Sequence, residues 1–128
     1  MTIRIVRLGT PRSEGEGLRL GTVRRPPRGV PKAQIAARDF YDVWLPDLAP
    51  SEPLLKRIHA GDVDKDWRAF SRSDRAEMKR PEPRRLLDLL AALSQQTNLS
   101  LGCYCAEEAR CHRSLLRVLL AEHGARVL

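Results

Sequence analysis

Four short segments of the chain carry the apolar patterns that predict β-strands. In residues 3–8, isoleucine and arginine alternate, so that one face of an extended segment is apolar. Residues 18–23 and 99–104 have similar short apolar patterns. Residues 40–45 are aromatic and β-branched, which also favours a strand. Residues 125–128 are a candidate for a last short strand.

Apolar residues at helical spacing predict four helices between these strands. Ser51 is a suitable N-cap for a first helix that ends near residue 61, where a glycine follows. Residues 66–80 predict a second helix, in which Asp74 falls on the apolar face. Prolines at 81 and 83 interrupt the pattern, and leucines at i, i+3, i+4 and i+7 then predict a third helix from residue 86 onwards. A fourth begins at Cys111 or His112.

The order of these elements predicts the fold class. A strand, a helix and a second strand in this order usually form a right-handed crossover in a parallel sheet. We therefore expect a three-layer α/β domain with helices on both faces of a short, mostly parallel sheet. The length of 128 residues suits a single domain over 1–128.

Cysteine usage and the apolar runs indicate the compartment. The three cysteines lie within nine residues, whereas a secreted disulfide framework would spread an even number along the chain. No run of 18 apolar residues occurs, so no transmembrane helix is expected. The N-terminus alternates apolar and basic residues and is unlike a signal peptide. We predict a cytoplasmic protein with no membrane partner.

Arginine dominates the charge. The formal net charge is +7, with 23 basic and 16 acidic side chains. Arginine suits bidentate contacts to phosphate, which favours nucleotides and nucleic acids as partners; the alternative is that the charge reflects only an arginine-rich, high-GC coding bias and solubility. A loop at residues 24–32 concentrates this charge in Arg24, Arg25, Arg28 and Lys32, and its prolines exclude a helix. The alternatives are that this loop binds phosphate or that it is merely solvated.

The stretch from Leu101 to Ser114 carries the candidate chemistry. It leaves the carboxyl end of a predicted strand and enters a helix N-terminus, which is where ligands bind in open α/β sheets. Free N–H groups and the helix dipole favour an anion there. Arg113 and the hydroxyl of Ser114 add contacts for such an anion.

Three interpretations of the cysteines stay open. Cys111, at a helix N-terminus near arginines, suits a nucleophile or redox thiol, with His112 or Glu107 moving protons. Alternatively, Cys111 fills a buried junction. The third interpretation is a zinc or iron site built from Cys103, Cys105, Cys111 and His112. Its Cys-x-Cys-x5-Cys-His spacing is unusual. The last two side chains would diverge on a helix.

The leading functional prediction combines the basic loop with the cysteine segment. Arg25 and Arg28 would meet Arg113, Ser114, Cys103 and Cys105 at the carboxyl edge of the sheet and bind a phosphate-bearing ligand, a nucleotide or a nucleic acid. Thiol chemistry at Cys111 would accompany that binding. The alternatives are a non-catalytic, basic nucleic-acid-binding module and a Cys/His metal protein. The pattern leaves the reaction, the cofactor and the oligomeric state open.

Several stretches of the chain resemble one bacterial family. They are residues 24–32, residues 44–51 with Leu54 following, and residues 101–116 with Cys-Tyr-Cys and Cys-His-Arg-Ser-Leu-Leu. Between them, Trp67, Phe70 and Glu77-Met78 are similar to residues of one helix of that family. The chain resembles the cysteine-containing branch of the domain-of-unknown-function 488 family. This resemblance implies a small, Rossmann-like, cytoplasmic α/β protein and little about activity. Asp74 stands where the family helix usually carries tyrosine.

Overall fold

A parallel four-stranded sheet organises the chain. The computed structural model describes residues 1–60 and 63–128, with the side chains of residues 58–65 and of Arg110 left out. The strands are β1 (Ile3–Arg7), β2 (Leu18–Gly21), β3 (Val43–Trp44) and β4 (Leu99–Cys103). They are ordered β1-β4-β2-β3, and every pair is parallel. The predicted small α/β, Rossmann-like fold is confirmed.

The described helices are α1 (Glu52–Ala60), α2 (Val63–Met78), α3 (Pro81–Leu93) and α4 (His112–Glu122). The two prolines separate two helices as expected, because α2 ends at Met78, but the third helix begins at Pro81 and not at residue 86. Pro81 and Pro83 lie in the first turn of α3, where the N–H that proline lacks would have no helical partner. Residues 125–128 form a single bridge, between Val127 and Ile3, instead of a strand. No helix of the described residues is long and apolar enough to cross a bilayer.

The main core lies between one face of the sheet and helices α3 and α4. Leu20, Leu99 and Leu101 point from the strands into this layer. The helices contribute a matching set of buried side chains: Leu87, Leu90, Leu116, Leu119 and Leu120. The leucine spacing that predicted these two helices therefore also identified the faces that they bury.

Loop residues cover the opposite face of the sheet. The ring of Tyr41 packs on Gly21 so closely that a Cβ there would lie 2.4 Å from the ring. Beside it, the guanidinium of Arg19 donates to the carboxylate of Glu16 at 2.8 and 2.9 Å, and both side chains are buried. We expected helices on both faces, and the described residues over this one come from loops. Prolines and glycines make those segments poor helix formers.

Candidate functional site

The carboxyl end of β4 and the start of α4 bring two cysteines into contact. Cys103 is the last residue of β4, and Cys111 is the N-cap of α4. Their sulfur atoms lie 2.6 Å apart, and both residues are 2% exposed. The backbone of Cys111 is extended, with φ −132° and ψ 150°. The expectation that Cys111 and His112 diverge is therefore wrong, because an N-cap residue precedes the helical geometry that separates neighbours.

Cys105 joins this pair from the loop that follows β4. Cys105 is two residues beyond Cys103, the last residue of β4, and side chains at i and i+2 of an extended chain share one side. The thiols of Cys103 and Cys111 are close enough to Cys105 to lower the pKa of its thiol. Unlike those two, Cys105 is exposed. The structure thus gathers all three thiols, with one of them open to solvent.

His112 is held in a defined orientation beside the thiols. Its Nε2 lies 2.7 Å from the backbone carbonyl oxygen of Thr22. Because a carbonyl only accepts, Nε2 carries the proton and donates it, and Nδ1 keeps a free lone pair. Nδ1 lies 3.7 Å from the sulfur of Cys111. Burial lowers the pKa of His112 to about 4, so the imidazole is neutral at pH 7.

The thiols share their protons unequally. Hydrogen bonds that Cys103 donates to Cys105 and Cys111, together with burial, raise the pKa of Cys103 far above its ordinary value. For Cys111, a hydrogen bond from Cys103 is outweighed by its bond to Cys105 and by burial, which raise its pKa to about 11. The same bonds, received by Cys105, lower the pKa of that thiol strongly, and the charge of Arg113 assists. Of the three thiols, Cys105 is the one whose surroundings lower its pKa.

The side chains of Arg113 and Ser114 hold the cysteine loop through hydrogen bonds to its backbone. Arg113 is 4% exposed and donates from Nη2 to the carbonyl oxygen of Cys105 at 2.7 Å. Its Nε is buried and makes no hydrogen bond to any described residue. The hydroxyl of Ser114 donates to the carbonyl oxygen of Cys111 at 2.9 Å. Both side chains that the sequence predicts as ligand contacts thus bond to the backbone of the cysteine loop.

A cleft of about 470 Å³ opens above the cluster. Cys103, Cys105 and His112 line one side of it. The lining also includes four cations and one carboxylate: Arg24, Arg25, Arg28, Lys56 and Glu52. Tyr104, Val23, Pro50 and Leu55 complete the lining. The basic loop and the cysteine segment therefore meet at the carboxyl edge of the sheet.

Two backbone contacts fix the basic loop over the cleft. Arg24 donates to the carbonyl oxygens of Ala49 and Pro50 at 3.0 and 3.1 Å. The hydroxyl of Tyr104, next to the clustered cysteines, donates to the carbonyl oxygen of Arg25 at 2.8 Å. Arg24 is therefore used to hold the loop, which leaves other cations to face the cleft.

The remaining cations differ in their pairing. Arg25 forms an exposed ion pair with Glu52. Arg28 and Lys56 are exposed and form no ion pair or hydrogen bond with a described residue. Together with Arg24, which bonds only to neutral carbonyl groups, these two side chains give the cleft an excess of positive charge.

The structure brings together most of the predicted site residues. Arg25, Arg28, Cys103, Cys105 and His112 line the cleft, and Cys111 lies directly beneath it. The lining of the cleft does not include Glu107, which is exposed. It also does not include Arg113 or Ser114, which bond to the backbone of the cysteine loop. The sequence analysis missed Lys56, Glu52 and Tyr104. Tyr104 lies inside the Cys-Tyr-Cys pattern, whereas the two α1 residues reach the cleft only through tertiary packing.

One comparison with known proteins identifies the family of this chain. A family model described as DUF488-N3a, the active DUF488-N3 subclade, matches residues 3–124. The chain belongs to the DUF488 family. The match includes the basic loop, all four strands and the cysteine segment. No curated protein and no solved structure matches the chain.

Proposed function

We propose that this DUF488 protein binds a phosphate-bearing ligand, a nucleotide or a nucleic-acid terminus, in the cleft between the basic loop and the thiol–histidine cluster. The observation that carries the proposal is the pair of exposed cations, Arg28 and Lys56, that face the cleft with no partner among the described residues. Cationic side chains of this kind form charge-assisted hydrogen bonds with phosphate oxygens.

Pre-organisation of the loop supports the same proposal. The side chain of Arg24 bonds to the backbone of Ala49 and Pro50, and Tyr104 bonds to the backbone of Arg25, so the start of the loop is already held before a ligand binds. The net charge of +7 adds long-range attraction for anions. The volume of about 470 Å³ is within the range of small-ligand pockets.

The thiol chemistry predicted from the sequence falls to Cys105 in this proposal. Cys111 is 2% exposed and lies beneath the cleft, whereas Cys105 is exposed and lines it. A ligand held by Arg28 would lie against the sulfur of Cys105. The role of Cys111 is then to support that sulfur from below.

Calorimetric titration with three probes tests the proposal: inorganic pyrophosphate, a 5′-mononucleotide and a short single-stranded oligonucleotide. We expect Arg28→Gln and Lys56→Gln each to weaken binding of the preferred probe roughly tenfold, as losing a hydrogen bond to a charged group does. Arg85→Gln is the matched control, because Arg85 is exposed on α3 and does not line the cleft.

The salt dependence separates the sources of the phosphate. If the oligonucleotide binds best and its affinity falls steeply with salt, the ligand is a nucleic acid. If the mononucleotide or pyrophosphate binds as tightly as the oligonucleotide, the ligand is small. The proposal is wrong if no probe binds, or if Arg85→Gln weakens binding as much as Arg28→Gln.

A further inference from the structure

We propose that Cys103, Cys111 and His112 bind one zinc ion beneath the cleft, with the fourth coordination position open towards Cys105. One ligand atom from each of the three residues lies within 4.8 Å of the others, and all three residues are buried. The proposal concerns residues below the cationic side chains of the cleft and does not rest on phosphate binding.

The orientation of His112 is the first argument. A histidine that ligates a metal usually donates its other ring N–H to a carbonyl or carboxylate, which fixes the tautomer and the ring plane. Here Nε2 donates to the carbonyl oxygen of Thr22 at 2.7 Å. The free lone pair of Nδ1 consequently faces the sulfur of Cys111.

The distances between ligand atoms are the second argument. Tetrahedral zinc with ordinary bond lengths separates a sulfur and a nitrogen ligand by about 3.5 Å and two sulfurs by about 3.8 Å. The 3.7 Å between Nδ1 of His112 and the sulfur of Cys111 already fits. The sulfurs of Cys103 and Cys111, 2.6 Å apart, would have to separate by about 1 Å. Small side-chain rotations at the strand end and the N-cap would produce this.

The chemistry of the donor set is the third argument. Two thiolates and one imidazole are borderline-soft ligands that suit zinc in preference to magnesium or calcium. Three protein ligands and an open fourth position are typical of zinc sites that take part in chemistry, whereas structural sites are closed by four ligands. Cys105 is exposed on the side of the cleft and can occupy or leave that fourth position.

Native mass spectrometry of the reduced full-length protein, compared with its denatured mass, is the first test. The protein is purified without added metal or chelator and is then given one equivalent of zinc in the presence of a competing chelator. We expect the native mass to exceed the denatured mass by one zinc ion. Cobalt substitution should give the absorption bands of tetrahedral cobalt with thiolate ligands.

Three variants separate the ligands from their neighbour. Cys111→Ser and His112→Ala each remove a proposed ligand. They should therefore lower the affinity for zinc by more than the roughly 10- to 100-fold that is lost when a residue hydrogen-bonded to a ligand is removed. Cys105→Ser should keep one zinc per chain. Circular dichroism of each metal-free variant shows whether it still folds.

The wild-type protein alone can overturn the proposal. It is wrong if the reduced protein takes up no zinc, including the case in which Cys103 and Cys111 are isolated as a disulfide and remain metal-free after reduction. It is also wrong if the folded His112→Ala variant binds zinc as tightly as the wild type. Loss of phosphate binding in the cleft would leave these outcomes unchanged.

Discussion

Two groups of polar side chains lie next to the sheet, and they differ in how many of their donors and acceptors form hydrogen bonds. On the loop-covered face, the carboxylate of Glu16 accepts from Arg19, from the hydroxyl of Ser100 at 2.8 Å and from the backbone N–H of Ser13 at 3.2 Å. Arg19 also donates to the carbonyl oxygens of Thr10 and Asp39. At the carboxyl edge, three thiols and a histidine meet with only weak donors among them.

The difference separates a structural network from a candidate site. The Glu16–Arg19 network has little capacity left for a ligand, and its contacts fix the fold of the loops that cover the sheet. Burial alone would raise the pKa of Glu16, but hydrogen bonds from Arg19 and Ser100 lower it to about 2. The cysteine cluster keeps a free Nδ1 on His112 and an exposed sulfur on Cys105, both near the cleft.

The largest expected effect follows from breaking the Glu16–Arg19 hydrogen-bond network. Arg19→Met leaves the carboxylate of Glu16 buried without its cation, and we expect the free energy of unfolding to fall by about 3–5 kcal/mol. Urea denaturation measures this loss. The double variant Glu16→Gln, Arg19→Met should recover a large part of it, because no buried charge remains. If the double variant loses as much as the sum of the single variants, the two side chains are not energetically coupled.

The second prediction concerns the accessibility of the three thiols. With limiting iodoacetamide at pH 7, Cys105 should be alkylated on the order of 100-fold faster than Cys103 or Cys111, because the buried pair reacts only after local opening. Peptide mapping of the chelator-treated protein measures the three rates. Cys105→Ser should abolish the fast phase. Rapid labelling of Cys111 in the wild type would reverse the assignment of the reactive thiol.

Asp74 tests whether a buried polar group outside the cleft affects stability alone, without affecting ligand binding. It is 1% exposed on α2, and its Oδ1 makes no hydrogen bond to a described residue. Burial, assisted by the charge of Glu77, raises its pKa from 3.8 to about 7. The described lining of the cleft does not include it. We therefore expect Asp74 to lower stability without affecting ligand binding.

The pH dependence gives the sign of that effect. Between pH 4 and 7 the native state holds a proton on Asp74 that the unfolded state has lost, so the free energy of unfolding falls as pH rises through this interval. Linkage limits the loss to about 4 kcal/mol. Asp74→Asn should recover about half of it at pH 8, because the amide is neutral but is still a buried polar group. Urea denaturation at pH 5 and pH 8 measures this, and equal gains at both values would contradict it.

The sequence predicted the fold better than the site, for a physical reason. Leucine spacing and strand patterns are local, and they located β1, β4 and the core faces of α3 and α4. The same local reasoning left the start of α4 open between Cys111 and His112, and this one residue decides whether Cys111 is helical or an extended N-cap beside His112. Lys56 has no local signal at all, since only the packing of α1 brings it to the cleft.

The smallest expected effect, from Glu52, tests the charge balance of the cleft. Glu52→Gln removes its only described carboxylate and frees Arg25 from an exposed ion pair. Exposed pairs contribute about 0–1 kcal/mol, so stability should hardly change. Phosphate affinity should rise about threefold and depend more steeply on salt, because one more cation is available. Glu122→Gln, which breaks the Arg75–Glu122 pair away from the cleft, is the control and should leave binding unchanged. Weaker phosphate binding in Glu52→Gln would mean that Arg25 needs its carboxylate to hold a productive position, and the cleft would then depend on geometry more than on net charge.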